Sequence, residues 1–314
     1  MRAARHDEWG SPLTLAEVTR PEPAAGEVRV AMRATSVNPI DVHTGRNSGY
    51  EQSMQLPFVP GWDVAGVVDA VGYGVPRHQV GDPVFGLAWF PYPAGTYAEY
   101  VTVPAHHLIP MPSSVGFVEA GCAPMAVLTA WQMLDAARVR PGSRVLIDGA
   151  GGGVGHVAVQ LAAARGAKVV ALARTAHHER LHEFGAAMCV DYDDAGAVAA
   201  IGEVDHLIDY VGHEFGRALF EHVAPGGSVA LATAWSIPTY REDAAARGID
   251  ASSCLVEPDP VALTSIATLM NMGILRIAVD AEFPLERAPE AQQWAARRGV
   301  FGKTAIVVDP AERS

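Results

Sequence analysis

The feature that most constrains the fold is the stretch from Arg144 to Ala173, RVLIDGAGGGVGHVAVQLAAARGAKVVALA. It reads as a β-strand, a glycine-rich turn, a helix and a second strand in direct succession. The glycines therefore fall where strand becomes helix. Without side chains there, a pyrophosphate can approach the backbone, and the free N–H groups and positive end of the helix face its charge. The stretch predicts a dinucleotide site.

The turn departs from a strict GxGxxG pattern, because Val154 and His156 stand where the third glycine would be required. An ordinary glycine-rich turn of an α/β protein is the alternative interpretation. The order of strand, turn, helix and strand favours dinucleotide binding. The residues predicted to contact the cofactor in this turn are Gly149, Gly151, Gly152, Gly153, Val154 and Gly155.

The residue that follows the second strand predicts which dinucleotide is bound. Asp or Glu at this position suits the ribose 2′-hydroxyl of NAD, whereas arginine suits the 2′-phosphate of NADP. The strand KVVALA is followed by Arg174 and by no acid. We therefore predict NADPH, with a solvated arginine opening the next loop as the alternative.

Composition limits the class of protein. A chain of 314 residues suits two domains, and its 49% hydrophobic and 18% charged residues are typical of a globular protein. No apolar run approaches the roughly eighteen residues of a membrane span. The net charge of −12 disfavours nucleic acid and anionic membranes as partners. Three widely spaced cysteines and an N-terminus without an apolar signal core predict a cytoplasmic protein.

The two parts of the chain differ in pattern. Residues 1–118 are rich in Pro, Gly and short alternating segments such as GEVRVAMRATSV, which predict β-strands joined by turns. From Cys122 onward, Ala-rich helices alternate with strands, which predicts a doubly wound parallel sheet. We expect strands at HLIDYV, SVALAT, ILRIAVD and KTAIVV, and later helices over about 260–271 and 288–297.

The order of these segments resembles the medium-chain dehydrogenase/reductase superfamily, and within it the zinc-independent quinone oxidoreductase and enone reductase branch. The likeness extends over nearly the whole chain. The segments that carry it are SVNPID (36–41), PGWDVAGVV (60–68), VGDPVFG (80–86), GTYAEYV (95–101), LTAWQML (128–134), the glycine turn, DYVG (209–212), PGGSVAL (225–231), FPLERAPEA (283–291) and GKTAIVV (302–308).

This resemblance implies an α/β protein of two domains. Residues 1–118 and 256–314 would form a GroES-like catalytic domain, and residues 119–255 a Rossmann domain that binds NADPH, with the cofactor lying in the cleft. The family also implies a homodimer, for which the segment IDASSCLV (249–256) could supply an edge strand.

Zinc-dependent members of the superfamily hold a catalytic ion with two thiolates and an imidazole. The matching positions here are Asn38, Trp62 and Met125, which supply none of these ligands, and the lobe for structural zinc is replaced by GLAWFPYPAGTY. We therefore predict no metal. Without a Lewis acid to polarise an alcohol, hydride delivery from NADPH to an electron-poor carbon is favoured over alcohol oxidation.

Reduction of a quinone or an α,β-unsaturated carbonyl requires a donor on the substrate oxygen and a proton source. By resemblance Asn38, Asp41 and His43 line the cleft, and Tyr50 stands where related enoyl reductases carry a tyrosine that donates to the carbonyl. A phenol is protonated at neutral pH and can donate directly. The alternatives are a loop residue at Tyr50, a turn residue at Asn38 and a helix cap at Asp41.

The resemblance also places Thr129, Val211, Gly212 and Lys303 beside the cofactor, although each could be a packing or turn residue. Aromatic side chains outline a pocket for a planar, apolar substrate, with core packing as the alternative. The predicted pocket residues are Trp89, Phe90, Tyr92, Trp235 and Tyr240.

The sequence thus predicts an NADPH-dependent, zinc-free reductase of quinones or α,β-unsaturated carbonyls. An enoyl or enone reductase that modifies one biosynthetic intermediate, such as a polyketide, is the nearest alternative. An NADPH-binding sensor or interaction protein with little catalysis is a second alternative, of a different class. An alcohol dehydrogenase is disfavoured because the zinc ligands are missing.

Overall fold

We describe residues 1–308 from a computed structural model of the chain. The last six positions of the predicted catalytic segment 256–314 lie outside the described residues. The chain divides into two compact units. The first comprises Met1–Leu128, Glu257–Gly273 and the chain from Ile277 onward, and the second comprises Thr129–Val256 with Ile274–Arg276.

The first unit contains most of the antiparallel strands. Its N-terminal strands are β1 (Arg2–Arg5), β2 (Thr14–Glu17), β3 (Glu27–Val37), β4 (Asp63–Val71), β5 (Pro83–Leu87), β6 (Tyr100–Pro104) and β7 (Leu108–Pro110). The second unit contributes β8 (Arg144–Asp148), β9 (Lys168–Leu172), β10 (Ala186–Val190), β11 (Val204–Asp209), β12 (Val223–Leu231) and β13 (Asp250–Ser253). The chain then returns to the first unit with β14 (Val279–Pro284) and β15 (Lys303–Val307).

The helices are short in the first unit and alternate with strands in the second. In chain order they are α1 (Pro39–Gly45), α2 (Phe117–Cys122), α3 (Pro124–Ala136), α4 (Gly155–Ala164), α5 (His178–Glu183), α6 (Ala195–Ala199), α7 (His213–Ala218), α8 (Tyr240–Ala245), α9 (Pro260–Asn271) and α10 (Ala288–Ala295). None of the helices in residues 1–308 is both long and apolar enough to span a bilayer.

The first unit is built on a seven-stranded sheet in the order β14-β15-β3-β4-β5-β7, with β6 also paired to β3. Every pairing is antiparallel except that of β14 with β15. Strand β3 is central because it pairs with β15, β4 and β6. The alternating residues Val28, Val30 and Met32 are fully buried in its core, as a period of two requires of a strand with one face inward.

The second unit is a six-stranded parallel sheet in the order β10-β9-β8-β11-β12-β13. The chain moves outward from β8 in one direction and from β11 in the other, so the strand order reverses between them. Ligands of open α/β sheets bind at the carboxyl ends of the strands at such a reversal. The glycine turn directly follows β8. The doubly wound parallel sheet that the sequence predicts is therefore present in the second unit.

One segment differs from the sequence prediction. ILRIAVD was expected to be a strand, but strand β14 begins only at Val279. The side-chain amide of Gln160 accepts a hydrogen bond from the N–H of Arg276 at 2.9 Å and donates one to its carbonyl at 2.9 Å. The backbone groups that a strand would need at Arg276 are therefore occupied by a side chain of α4.

The first unit also extends past residue 118, where the sequence analysis placed its end. Helix α2 packs against β3 and β4 of the first unit, and the division falls inside α3, between Leu128 and Thr129. A backbone hydrogen bond from the N–H of Met125 to the carboxylate of Asp63, at 2.6 Å, ties the start of α3 to β4. The amino-acid composition changes near residue 118, but the chain continues to pack within the first unit up to Leu128.

Candidate functional site

The glycine turn of the second unit places bare backbone where β8 becomes α4. Gly149 has a φ of +72°, which favours glycine, and its carbonyl accepts a hydrogen bond from the N–H of Gly152 at 2.9 Å. A Cβ on Gly155 would overlap that same carbonyl, and one on Gly151 would overlap the ring of His177. Gly152 is different, since a Cβ there would meet only the Gly149 carbonyl, at 3.2 Å. The turn is therefore a cradle that fits a pyrophosphate at the start of a helix.

A second loop of this unit follows β11 and carries Val211 and Gly212. The carboxylate of Asp209 accepts hydrogen bonds from both of their N–H groups, at 2.8 and 2.7 Å. Gly212 has a φ of +73°, and a Cβ there would overlap the hydroxyl groups of Thr233 and Ser236. Thr233 and Ser236 were missed by the sequence analysis. The available signal was a hydroxyl-bearing residue at the end of the segment SVALAT, Thr233, and another three residues later, Ser236.

Arg174 lies after β9, next to aromatic and acidic groups. Its Nε donates to the hydroxyl of Tyr192 at 2.6 Å, and Asp191 and Asp193 act on its charge. Hydrogen bonds from Thr175 lower the pKa of Asp191 to about 2. The guanidinium is partly exposed. It could contact a ribose phosphate, in a region that also holds two carboxylates.

The predicted cofactor residue Thr129 lies in α3 and is 9% exposed. Val211 is 41% exposed, so it lies at the surface of the second unit. Gly153 and Val154 are half-buried in the turn before α4. The second unit thus brings the glycine turn and the Val211–Gly212 loop to the ends of neighbouring strands, while the contacts of these residues with a cofactor stay a prediction.

In the first unit, two of the three positions that the sequence analysis matched to zinc ligands, Asn38 and Met125, bind one carboxylate. Asp63 accepts hydrogen bonds from the side-chain amide of Asn38 at 2.7 Å, from the N–H of Met125 at 2.6 Å and from the hydroxyl of Ser36. Asp63 is fully buried. The carboxylate is therefore stabilised by three protein donors.

Lys303 supplies the positive charge of this cluster. Its ammonium group donates to the side-chain oxygen of Asn38 and, at 3.2 Å, to the carbonyl of Val37. Lys303 is 3% exposed and Asn38 is 3% exposed, so both are inside the first unit. The amide of Asn38 thereby links a cation to the carboxylate of Asp63. The predicted role of Lys303 beside the cofactor stays a prediction.

These residues do not fit zinc. The amide of Asn38 is bonded on both sides, and the indole N–H of the buried Trp62 donates to the carbonyl of Tyr92 at 2.8 Å. Cys122 is the one thiol that shares this region, and burial raises its pKa to about 12, so it is no thiolate at neutral pH. In residues 1–308 no group of three or more His, Cys, Asp or Glu side chains is arranged to hold a metal ion.

Asp41 closes the start of α1. One of its oxygens accepts hydrogen bonds from the N–H of Asn38 at 2.7 Å and from the hydroxyl of Tyr97 at 2.9 Å. The first bond is half of a capping box, as the cap alternative for Asp41 expects. Burial, followed by the charge of Asp63, raises the pKa of Asp41 to about 7 against the hydrogen bonds that lower it. Asp41 is therefore a buried acid that titrates near neutral pH.

Tyr50 lies at the start of a short aromatic series. Its ring meets that of Phe90 edge-on at 5.5 Å, and Phe90 meets Trp62 edge-on at 5.3 Å. Tyr50 is partly exposed, whereas Phe90 is 7% exposed and Trp62 fully buried. Burial raises the pKa of the Tyr50 phenol, which is thus protonated at neutral pH. The structure brings the predicted donor Tyr50 into ring contact with the predicted pocket residue Phe90, while their roles stay a prediction.

The other predicted site residues are divided between the surface and the hydrophobic cores of the two units. His43 is exposed on α1. Trp89 packs against the core of the first unit and donates its indole N–H to the carbonyl of Thr102 at 2.9 Å, while Tyr92 is 62% exposed. In the second unit, Trp235 is 68% exposed beside His213. Tyr240 belongs to the hydrophobic core, which accounts for its burial by packing.

Comparison with known proteins agrees with this architecture. Residues 24–113 match the alcohol dehydrogenase GroES-like domain, and residues 184–306 match the zinc-binding dehydrogenase family. A quinone oxidoreductase from Lama guanicoe is 27% identical over 98% of both chains. The structure of a quinone oxidoreductase from Coxiella burnetii is 32% identical, with a TM-score of 0.94, over 98% of this chain and 99% of that one. A mycobacterial protein solved with NADPH is 28% identical, with a TM-score of 0.85, over 98% and 100%.

The fold and these likenesses define the class, and the chain belongs to the medium-chain dehydrogenase/reductase superfamily as an NAD(P)-binding oxidoreductase. Its place is in the quinone oxidoreductase branch of that superfamily. The predicted family is thereby confirmed. The sequence analysis matched Asn38, Trp62 and Met125 to the zinc-ligand positions, and the absence of zinc stays a prediction.

Proposed function

We propose that the protein is an NADPH-dependent, zinc-free reductase of quinones or α,β-unsaturated carbonyls. The observation that carries the proposal is the cluster at the zinc-ligand positions. There, Asp63 is satisfied by Asn38, Ser36 and Met125, and the local positive charge is the ammonium of Lys303. A site without a Lewis acid favours reduction of an already electron-poor carbon over oxidation of an alcohol.

Each unit supplies part of the proposed chemistry. When bound, NADPH supplies the hydride. In the second unit, Gly152 and its neighbours would hold the pyrophosphate, Arg174 the 2′-phosphate, and the Val211–Gly212 loop the nicotinamide ribose. In the first unit, Tyr50 would donate a hydrogen bond to the substrate oxygen and Phe90 would pack against a planar ring. A phenol whose pKa is raised by burial keeps its proton for this step.

NADPH rather than NADH is proposed because Arg174 follows β9 and because a structural relative was solved with NADPH. The carboxylates of Asp191 and Asp193 act on Arg174 and weaken its attraction for a phosphate. A preference for NADPH that Arg174 controls would support the assignment. If the enzyme used NADH as well as NADPH, one of these carboxylates would instead be expected to bind the ribose 2′-hydroxyl of NADH.

A second candidate is an enoyl or enone reductase for one biosynthetic intermediate. The exposed Trp235, 68% accessible in a loop of the second unit, favours it as a contact for a large substrate. A third candidate, an NADPH-binding sensor or interaction protein, shares the cofactor site but predicts no turnover.

The deciding experiment follows NADPH and NADH oxidation with a panel of quinones, enones and enoyl thioesters, in a strong chelator. The proposal expects turnover of quinones or simple enones with NADPH, unaffected by the chelator. Turnover of enoyl thioesters alone would favour the tailoring enzyme. Tight NADPH binding with no turnover on any substrate class would favour the sensor, and activity lost to the chelator would overturn the zinc-free assignment.

We also propose a cytoplasmic homodimer. Strand β13 is an edge of the parallel sheet, and Leu255 just beyond it is 50% exposed. An unpaired edge strand with an exposed apolar neighbour can pair with a second copy of itself. Light scattering should give twice the 33.1 kDa chain mass, and a monomer mass at working concentration would contradict it.

A further inference from the structure

Two carboxyl groups lie side by side where the strand order of the parallel sheet reverses. Asp148 ends β8 and Asp209 ends β11, and the two residues are in register as direct neighbours on adjacent parallel strands. Residues in register on adjacent strands point to the same face of a sheet. Their carboxyl groups act on each other's pKa, and the residues are 2% and 0% exposed.

Each carboxyl group holds one of the two loops assigned to the dinucleotide. Asp148 directly precedes Gly149, the first residue of the glycine turn, and the backbone N–H of Gly149 lowers the pKa of its carboxyl group. Asp209 uses one oxygen, Oδ1, to accept from the N–H groups of Val211 and Gly212. The pair therefore connects the loop at the pyrophosphate to the loop at the nicotinamide ribose.

The remaining oxygens of the pair need a donor. Within residues 1–308, Oδ2 of Asp148 and Oδ2 of Asp209 are buried acceptors without a hydrogen-bond partner. On the far side of Asp209, a Cβ added to Gly216 of α7 would overlap Oδ2, so this oxygen faces closely packed backbone. Two adjacent buried carboxylates that were both ionised would repel strongly, whereas one shared proton removes a charge and gives the pair a donor.

The surrounding charges do not replace that proton. His213, at the start of α7, is the basic side chain that acts on Asp209 and lowers its pKa. The other charged side chains of α7 pair elsewhere, because Arg217 binds Glu214 and Asp243. In α4, the ring of His156 is bonded to the carbonyl of Gly152. Burial and then the charge of Asp209 raise the pKa of Asp148. Burial raises the pKa of Asp209 against the hydrogen bonds that lower it.

We propose that Asp148 and Asp209 share one proton and act as a pair of positioning residues, which fixes the glycine turn against the Val211–Gly212 loop for dinucleotide binding. The proposal rests on dinucleotide binding by the second unit and is independent of the choice between NADPH and NADH. Loss of the proton would place two negative charges beneath the loops that hold an anionic cofactor. Binding would then weaken as the proton leaves at alkaline pH.

The first test is infrared spectroscopy of the protein without cofactor, at about pH 8, where an ordinary aspartate is ionised. We expect a protonated-carboxyl band, shifted in D₂O, that is missing from both Asp148→Asn and Asp209→Asn. A band that survives unchanged in both variants belongs to another acid such as Asp41, and this result or the lack of any band would overturn the proposal. The control is Asp205→Asn, an exposed carboxylate on the same strand.

The second test measures the Kd of NADPH and of NADH by calorimetry at neutral pH. Asp148→Asn keeps a donor toward Asp209 and should bind within about threefold of the parent, whereas Asp148→Ala removes the link and should lose about tenfold or more. Equal affinity of a folded Asp148→Ala variant would overturn the positioning role. If the parent binds neither dinucleotide while the infrared band is present, the proposed function fails and the shared proton stands.

Discussion

Substitution of Lys303 by methionine tests the charged cluster of the first unit most directly. The ammonium group makes two buried hydrogen bonds, to Asn38 and Val37. Methionine keeps the apolar volume but leaves the Asn38 oxygen and the Val37 carbonyl without this donor. Hydrogen bonds to a buried charge are worth about 1.5 to 3 kcal/mol each, and removal of one partner from a buried charged set costs about 3 to 5 kcal/mol. We expect Lys303→Met to lower the free energy of unfolding by about 3 to 5 kcal/mol.

The loss should depend on pH in a defined direction. The charge of Lys303 lowers the pKa of Asp41, which burial has raised to about 7. Below that pKa Asp41 is neutral and its attraction to the ammonium is absent, so the variant loses less stability at about pH 5 than at about pH 8. The sign follows because the ammonium stabilises only the ionised form of Asp41.

The assay is urea unfolding of both proteins at the two pH values. The sequence provides a matched control, because its only other lysine, Lys168, is exposed at the start of β9. Lys168→Met should stay within about 0.5 kcal/mol of the parent. If Lys303→Met were as stable as Lys168→Met, the ammonium would not stabilise the cluster. The NADPH affinity of the folded variant would separately test the predicted role of Lys303 beside the cofactor.

Four further predictions concern single side chains. Arg174→Ala should weaken NADPH binding about ten- to a hundredfold and leave NADH binding unchanged in calorimetry, because one charge-assisted phosphate contact is lost; an unchanged NADPH affinity would contradict it. Gly152→Val should abolish binding of both dinucleotides in a variant with the parent circular dichroism spectrum, since its side chain would fill the pyrophosphate cradle. Asp41→Asn should stabilise the protein at about pH 8 by removing a buried ionisable group, and equal stabilities of variant and parent there would refute this. Tyr50→Phe should lower kcat for an enone about 10- to 1,000-fold and for a quinone less, because a quinone product can take its proton from water; equal, small losses would indicate packing alone.

The elements of the second unit were readily predicted from the sequence, and the reason is physical. In a parallel sheet covered on both faces, strands such as RVLID are continuous apolar runs, and the turn residues between them are distinctive. The prediction of a strand over ILRIAVD was wrong at its first five residues, because a contact from a distant part of the chain determines their structure. Gln160 lies more than a hundred residues away in the chain and takes the backbone groups of Arg276.

The candidate site was predicted in part. The resemblance matched Asn38, Trp62 and Met125 to the positions of zinc ligands. It did not identify Asp63, whose carboxylate accepts hydrogen bonds from Asn38 and Met125. Asp63 could not be singled out, because an aspartate beside an apolar run is usually a turn residue or a surface residue. Its importance depends on three donors that come from β3, from the residue before α1 and from α3, and only the tertiary structure brings them together.

Buried acids in both units lead to one consequence for stability. Asp41 in the first unit and the Asp148–Asp209 pair in the second keep a proton in the folded state at pH values where an unfolded chain has lost it. The folded protein then binds more protons than the unfolded chain, so the free energy of unfolding falls as pH rises from about 4 through the raised pKa values, by at most about 1.4 kcal/mol per pH unit for each proton. The slope for Asp41 should end near pH 7, whereas that for the pair should continue to higher pH. We expect Asp41→Asn to lose the slope near neutral pH and to retain the slope at alkaline pH. Asp148→Asn should show the opposite pattern. The two variants would therefore assign each part of the pH dependence of the unfolding free energy to one unit.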